Sequence, residues 1–423
     1  MTSRKLSRRR NALLASAIAG VVAAATATLP ASAAGWTAVN VVGPTGLSGA
    51  AETWDATPVD FDRDGDEDVW IGYHDQGGKL WRNDGNGTYT RAAASAWPRV
   101  NSDRKIPDRH YCAWADVDRD GRLDSYCGVG RGGANAVKTG KDNELWLQSA
   151  PGQFTDVGTQ WGLGDVCGRS HYVAFLDANG DVYPDLFVGN APPRQVAGDP
   201  CDNPANGLPN EESKLFLNQG GTGFGYARGM GISGNGGARC AEVTDINGDG
   251  WEDLMVCGPP GLRLYRNNAG TGFTNVAGQN GLTASYVDAD FGDLDDDGDG
   301  DLVTAQWGQF AYRLNNGGSF GGSVRIGVPA VGGGRGVSLG DADGDRDVDV
   351  YGLISGTPAG TNPNDVIYLN DELTFNPVQV PAAGGLADAA VALDTNGDGH
   401  HRFLVLNGAE VSGPIQLIAV GLS

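Results

Sequence analysis

A nine-residue pattern, D-x-D/N-x-D-x-x-x-D, recurs along this chain at intervals of 48 to 68 residues. Six copies are complete: Asp60, Asp62, Asp64 and Asp68; Asp116, Asp118, Asp120 and Asp124; Asp177, Asn179, Asp181 and Asp185; Asp245, Asn247, Asp249 and Asp253; Asp293, Asp295, Asp297 and Asp301; Asp341, Asp343, Asp345 and Asp349. A seventh has Asp394, Asn396 and Asp398 but Arg402 at position nine. Alternate residues of a tight loop can aim their oxygens at one centre, and calcium takes six to eight such hard ligands. Position seven is expected to add a backbone carbonyl, and glycine at position six to permit the sharp bend. Val182 and Arg346 stand where that glycine is usual, so strain is expected in the third and sixth loops. Arg402 makes the seventh site weak or empty. The seven sets hold 24 of the 52 acidic residues, a crowding of like charge that repels unless a cation neutralises it. Calcium at about six sites is therefore the expected cofactor. A merely solvated acidic surface would not repeat this spacing.

The elements that position each loop also repeat. A short strand leads in (His110–Ala115, His171–Leu176) and a second leaves (Val69–Ile71, Leu186–Val188). A third follows (Lys79–Asn83, Glu144–Leu147, Lys214–Asn218, Leu262–Asn267), and a glycine-rich turn gives a fourth (Phe154–Val157, Phe273–Val276). Four short strands per unit, seven times over, describe an all-β, seven-bladed β-propeller. A series of β-sandwiches would need larger independent cores and would not explain the single recurring loop. The seventh repeat lacks a fourth strand, and Trp36–Val39 followed by Gly46-Leu47 matches Phe154–Val157 followed by Gly162-Leu163. The N-terminal strand is thus expected to close the last blade and hide two open sheet edges.

The Asp loops, together with the Leu-Tyr-x-Asn and Gly-x-Gly-Phe elements of the run Leu264 to Phe273, resemble FG-GAP or VCBS repeats. Those repeats form the seven-bladed propeller of integrin α subunits and of many secreted bacterial proteins. The resemblance covers nearly the whole chain after its N-terminal segment. It implies calcium in the loops on one face and ligand contact on the opposite face. The calcium signature here is more regular than in integrins, and nothing corresponds to the integrin leg domains.

Residues 1–33 read as a signal peptide: basic Arg4, Lys5, Arg8, Arg9 and Arg10, then an apolar Ala12–Leu29, then Ala31-Ser32-Ala33. Arg9-Arg10 also permits twin-arginine export. A membrane anchor is the competing reading of this stretch, and no later segment approaches a membrane span. The remainder, 34–423, is expected to be a single secreted, monomeric propeller domain. Removing five basic residues takes the net charge of −22 to −27, which disfavours nucleic acid and anionic membranes as partners. Six cysteines in an exported chain predict three disulfides. Cys112 and Cys127 flank the second loop, and Cys240 and Cys257 flank the fourth at the same cross-strand offset. If each loop turns a hairpin, each pair bridges neighbouring strands. Cys167 and Cys201 are left to tie a long loop to the third repeat; a zinc site would need a Cys-x-x-Cys spacing that is absent.

Six residues before each loop stand Trp54, His110, His171, Arg239, Val287, Arg335 and Asp388. On a propeller these ring one mouth of the central channel. Trp54, His110, His171, Arg239 and Arg335 are candidate ligand-binding residues for an acidic sugar or another anion; capping strands or pairing with nearby acids is their structural alternative. Long connections at 131–143, 191–213 and 355–365 open on the same end, where binding usually resides. Two functions follow. One is a recognition or adhesion module for a glycan, cell-wall polymer or extracellular protein. The other is a polysaccharide lyase on a uronic-acid polymer, with His110, Tyr111, His171 and Tyr172 as candidate acid and base. No Ser/His/Asp set or zinc motif favours an enzyme, and the binding module is preferred.

Overall fold

The computed structural model describes residues 35–422 except 49, 75, 94–96, 98–106, 131–142, 165–167, 192–211, 233–236, 260, 285, 328–332, 356–363, 382–388 and 409–412. The expected signal peptide, Cys167, Cys201, Asp388 and most of the three long connections lie outside the described residues. Seven antiparallel sheets follow one another in chain order. Their innermost strands are Thr53–Val59, Arg109–Ala115, Ser170–Leu176, Cys240–Thr244, Asp288–Gly292, Gly333–Gly340 and Ala389–Leu393. Each packs against the next, and the last returns to the first, closing the ring. The seventh blade runs Ala389–Leu393, Arg402–Leu406, Gly413–Leu422 and then Trp36–Asn40, so the N-terminal strand does close it, with Trp36 opposite Leu422. No helix among the described residues is long and apolar enough to cross a membrane.

The second strands explain why the blades pack. In Asp68–Tyr73, Asp124–Val129 and Asp185–Asn190 every residue is buried. Each such strand has a neighbouring blade on both faces, which is why it reads as an unbroken apolar run rather than an alternating one. Seven apolar clusters result, one in each wedge between neighbours. Between blades one and two, Trp70, Trp97 and Trp146 surround the Cys112–Cys127 disulfide.

A polar clasp joins the blades as well. In six loops the ninth-position Asp is buried and accepts two backbone N–H groups. One comes from loop position two, the other from an amide residue ending the third strand: Asp68 takes those of Phe61 (3.1 Å) and Asn83 (2.6 Å). That amide side chain then donates across the wedge to position two of the preceding loop: Asn83 to the Thr395 carbonyl, Gln148 to Phe61, Asn218 to Val117, Asn267 to Ala178, Asn315 to Ile246 and Asn370 to Leu294. The blade with Arg402 in place of Asp is joined differently, by the His401 N–H donating to the Asp341 carbonyl at 2.6 Å.

Positions four and six of the loops are left-handed. Val182 and Arg346 take φ of 67° and 83°, beside 94° for Gly65 and 91° for Gly121. A Cβ costs about 1–2 kcal/mol there, partly offset by the extra chain entropy glycine loses. Val182→Gly is therefore expected to raise stability by about 0.5–1 kcal/mol. Urea unfolding in excess calcium checks this, and a lowered midpoint would contradict the strain.

Candidate functional site

Loops and channel mouth lie at opposite ends of the same seven inner strands, so they form two separate sites. At the loop end, position one is the hub. Asp60 accepts the N–H groups of Asp64 and Gly65 at 3.1 and 3.0 Å, and Asp116, Asp177, Asp245, Asp293 and Asp394 repeat this. Position five accepts the N–H of position seven, as Asp64 does from Asp66 at 3.1 Å. These bonds shape the loop and leave other oxygens turned inward. In the first two loops oxygens of positions one, three and nine lie within 4.8 Å of one another; in the fifth, those of Asp293, Asp295 and Asp297 do.

Two further observations bear on whether this donor set suits a cation. Asp62 Oδ1 and Asp343 Oδ1 are buried with no hydrogen-bond partner, a costly state for a carboxylate oxygen unless something cationic meets it. Burial first, and then the loop's other carboxylates, push Asp343 up to about 6 and raise Asp62 and Asp118. An all-oxygen, anionic set with one oxygen-rich centre fits calcium. Glu67 and Glu252 reach across to accept the Asp394 and Asp177 N–H groups at 2.8 and 2.5 Å; the sequence reading missed both. In the seventh loop the Arg402 guanidinium turns back, donating to Asn396 Oδ1 at 2.7 Å and lying 3.6 Å from Asp398.

At the other end the channel opens as a cavity of about 570 Å³ lined by Trp54, His171, Arg239, Val287 and Arg335, all residues expected at this mouth. His110 is buried beside it. β-Bulges aim several of them: the inner-strand register shifts between Thr53 and Ala56, Arg109 and Tyr111, Ser170 and Tyr172, and Gly334 and Gly336. The residues skipped include Trp54, His110, His171 and Arg335. A bulge residue leaves the ladder and re-aims its side chain. Trp54 stacks on His110 with ring centroids 4.0 Å apart and planes 12° apart.

Below the mouth lie four carboxylates the sequence reading did not single out. Asp55, Glu242, Asp288 and Asp290 line the cavity. Burial pushes Asp55 up to about 7 and Asp288 up to about 8. It also raises the adjoining Glu242 and Asp290, whose side chains are hydrogen-bonded to each other. Tyr111 and Tyr172 pack together at 5.3 Å, and burial raises both phenols. The signal of Asp288 and Asp290 was present: acids alternate along Val287-Asp288-Ala289-Asp290, on a strand whose alternate residues face the channel.

Comparison with known proteins agrees with this architecture. The model of the FG-GAP-like repeat matches residues 60–127, 245–304 and 293–352. The chain is thus a β-propeller of FG-GAP-like repeats. No curated protein matches it. Among solved structures, the chain is similar to BBS1N in complex with ARL6DN, soaked with lead: 12% identity, 90% of this chain, 97% of that one, TM-score 0.50. The mercury-soaked counterpart gives 11%, 92%, 97% and 0.49. A lectin of Agrocybe aegerita, solved for recognition of non-reducing terminal N-acetylglucosamine, gives 15%, 86%, 79% and 0.42. At these identities the likeness concerns the fold alone.

Proposed function

We propose that the chain is a secreted, calcium-stabilised recognition module that holds a glycan or cell-wall polymer at the channel mouth. The observation that carries this reading is the division of labour between its two ends. Asp loops occupy one end. At the other, bulges turn Trp54, His171 and Arg335 toward a cavity lined below by the carboxylates of Asp55, Glu242, Asp288 and Asp290. An aromatic face, guanidinium donors and carboxylate acceptors together suit a polyhydroxylated ligand, acidic groups included. The two disulfides fit an oxidising, extracytoplasmic setting. In the loops, calcium would be held by the Asp sets of blades one to six and supplies neutralising charge. Arg402 supplies part of that charge to the seventh loop from within the chain. A lyase is less favoured, since raised phenols at Tyr111 and Tyr172 oppose their use as bases.

A glycan and cell-wall-polymer array in excess calcium tests the reading. Retention of a carbohydrate is expected, reduced at least about tenfold in Trp54→Ala and in the Arg239→Ala, Arg335→Ala double variant. No retention, or retention untouched by these substitutions, refutes it.

A further inference from the structure

Three of the chain's five histidines come together at the mouth from three successive blades. His74 follows the second strand of blade one (Asp68–Tyr73), His110 is the bulge residue of blade two, and His171 that of blade three. Asp108, just before the inner strand of blade two, stands between two of them: His74 Nδ1 lies 3.1 Å from its Oδ1 and His110 Nε2 3.2 Å from its Oδ2. The His171 ring centroid is 5.0 Å from that of His110. Repeat number does not account for this grouping, because no other blade places a histidine near its mouth among the described residues.

We propose that His74, Asp108 and His110, with His171 as fourth member, bind one divalent transition-metal ion of the zinc type. One ligand atom from each of the first three residues lies within 4.8 Å of the others. Tetrahedral zinc with bonds of about 2.0–2.1 Å holds its ligand atoms about 3.3 Å apart, close to the two spacings from Asp108. A simple carboxylate bridging two imidazoles would explain those spacings alone. It leaves unexplained the presence of a third imidazole, that of His171, beside His110. Trp54 lies flat on His110 and edge-on to His74 at 4.8 Å and His171 at 5.2 Å, fixing ring orientation as an outer shell does. Nitrogen donors here and all-oxygen donors in the Asp loops separate the two metals by chemistry. The inference does not depend on what the mouth binds.

The test uses tag-free protein saturated with calcium, titrated calorimetrically with Zn²⁺ and optically with Co²⁺. One equivalent of each, beyond calcium, is expected at micromolar or tighter affinity, with ligand-field bands in the visible for Co²⁺. His74→Ala, at a side chain 26% exposed, is expected to weaken Zn²⁺ about 100-fold or more while keeping the wild-type circular dichroism. His110→Ala is expected to do the same, and His400→Ala with His401→Ala to bind as wild type. Absence of a saturable equivalent, or unchanged affinity in His74→Ala, overturns the site.

Discussion

Stripping calcium is expected to lower the melting temperature by about 10–20 °C. A site held at about a hundred times its dissociation constant contributes about 2.7 kcal/mol. Six such sites spread over a chain of this size translate into a shift of that order, with an unfolding entropy of about 2 cal/mol/K per residue. The loss follows from the geometry. Without a cation, the oxygens of Asp60, Asp62 and Asp68 are left within 4.8 Å of one another, and Asp62 Oδ1 is buried unpaired. The same ninth-position Asp that would face the ion also fixes loop to third strand through Phe61 and Asn83, so an empty loop loosens the clasp to the preceding blade. Differential scanning fluorimetry with and without chelator reads the effect directly. Asp249→Asn is expected to remove part of the calcium-dependent shift. Asp398→Asn, in the loop already served by Arg402, is expected to remove none. Superimposable melting curves in calcium and chelator would refute the assignment.

The spacing of the loops made the propeller legible, because a motif that turns one hairpin per blade counts the blades. It also set the disulfide register: Cys112 faces Cys127 and Cys240 faces Cys257 across neighbouring strands. The seam at Trp36–Asn40 was legible because the missing fourth strand and the spare first one share a pattern. Other features escaped for physical reasons. The amide clasp was hidden although an Asn ends most third strands, since its partner is a backbone carbonyl of the preceding blade, as far as 312 residues away for Asn83. His74 and Asp108 sit at strand ends with no counterpart in other repeats, so periodicity said nothing of them. Asp288 and Asp290 were lost in the acidic background; only their place on the inner strand distinguishes them from loop carboxylates.

That place gives Asp288→Asn the second large effect: it is expected to stabilise the protein near pH 8 by on the order of 2–4 kcal/mol and to change little near pH 4. Asp288 is half-buried in the channel wall, accepts the Val337 N–H at 3.1 Å, and is pushed up to about 8, loss of solvent being the main cause and Asp290 a further one. A carboxyl whose folded value lies above its unfolded one binds its proton more tightly in the native state. Its favourable contribution is full below the unfolded value of about 4 and is lost as pH rises to about 8. The native protein at neutral pH must therefore either hold that proton or bury a charge beside Asp290 and Glu242. Asparagine keeps an acceptor for Val337 and has no charge to bury. Urea unfolding from pH 4 to 8, in excess calcium and compared between the two proteins at each pH so that protonation of the loop carboxylates cancels, is expected to show the wild type losing stability relative to the variant as pH rises. Parallel pH profiles for the two proteins would mean that the channel already compensates the charge, for instance through Arg239 or Arg335, which line the same cavity.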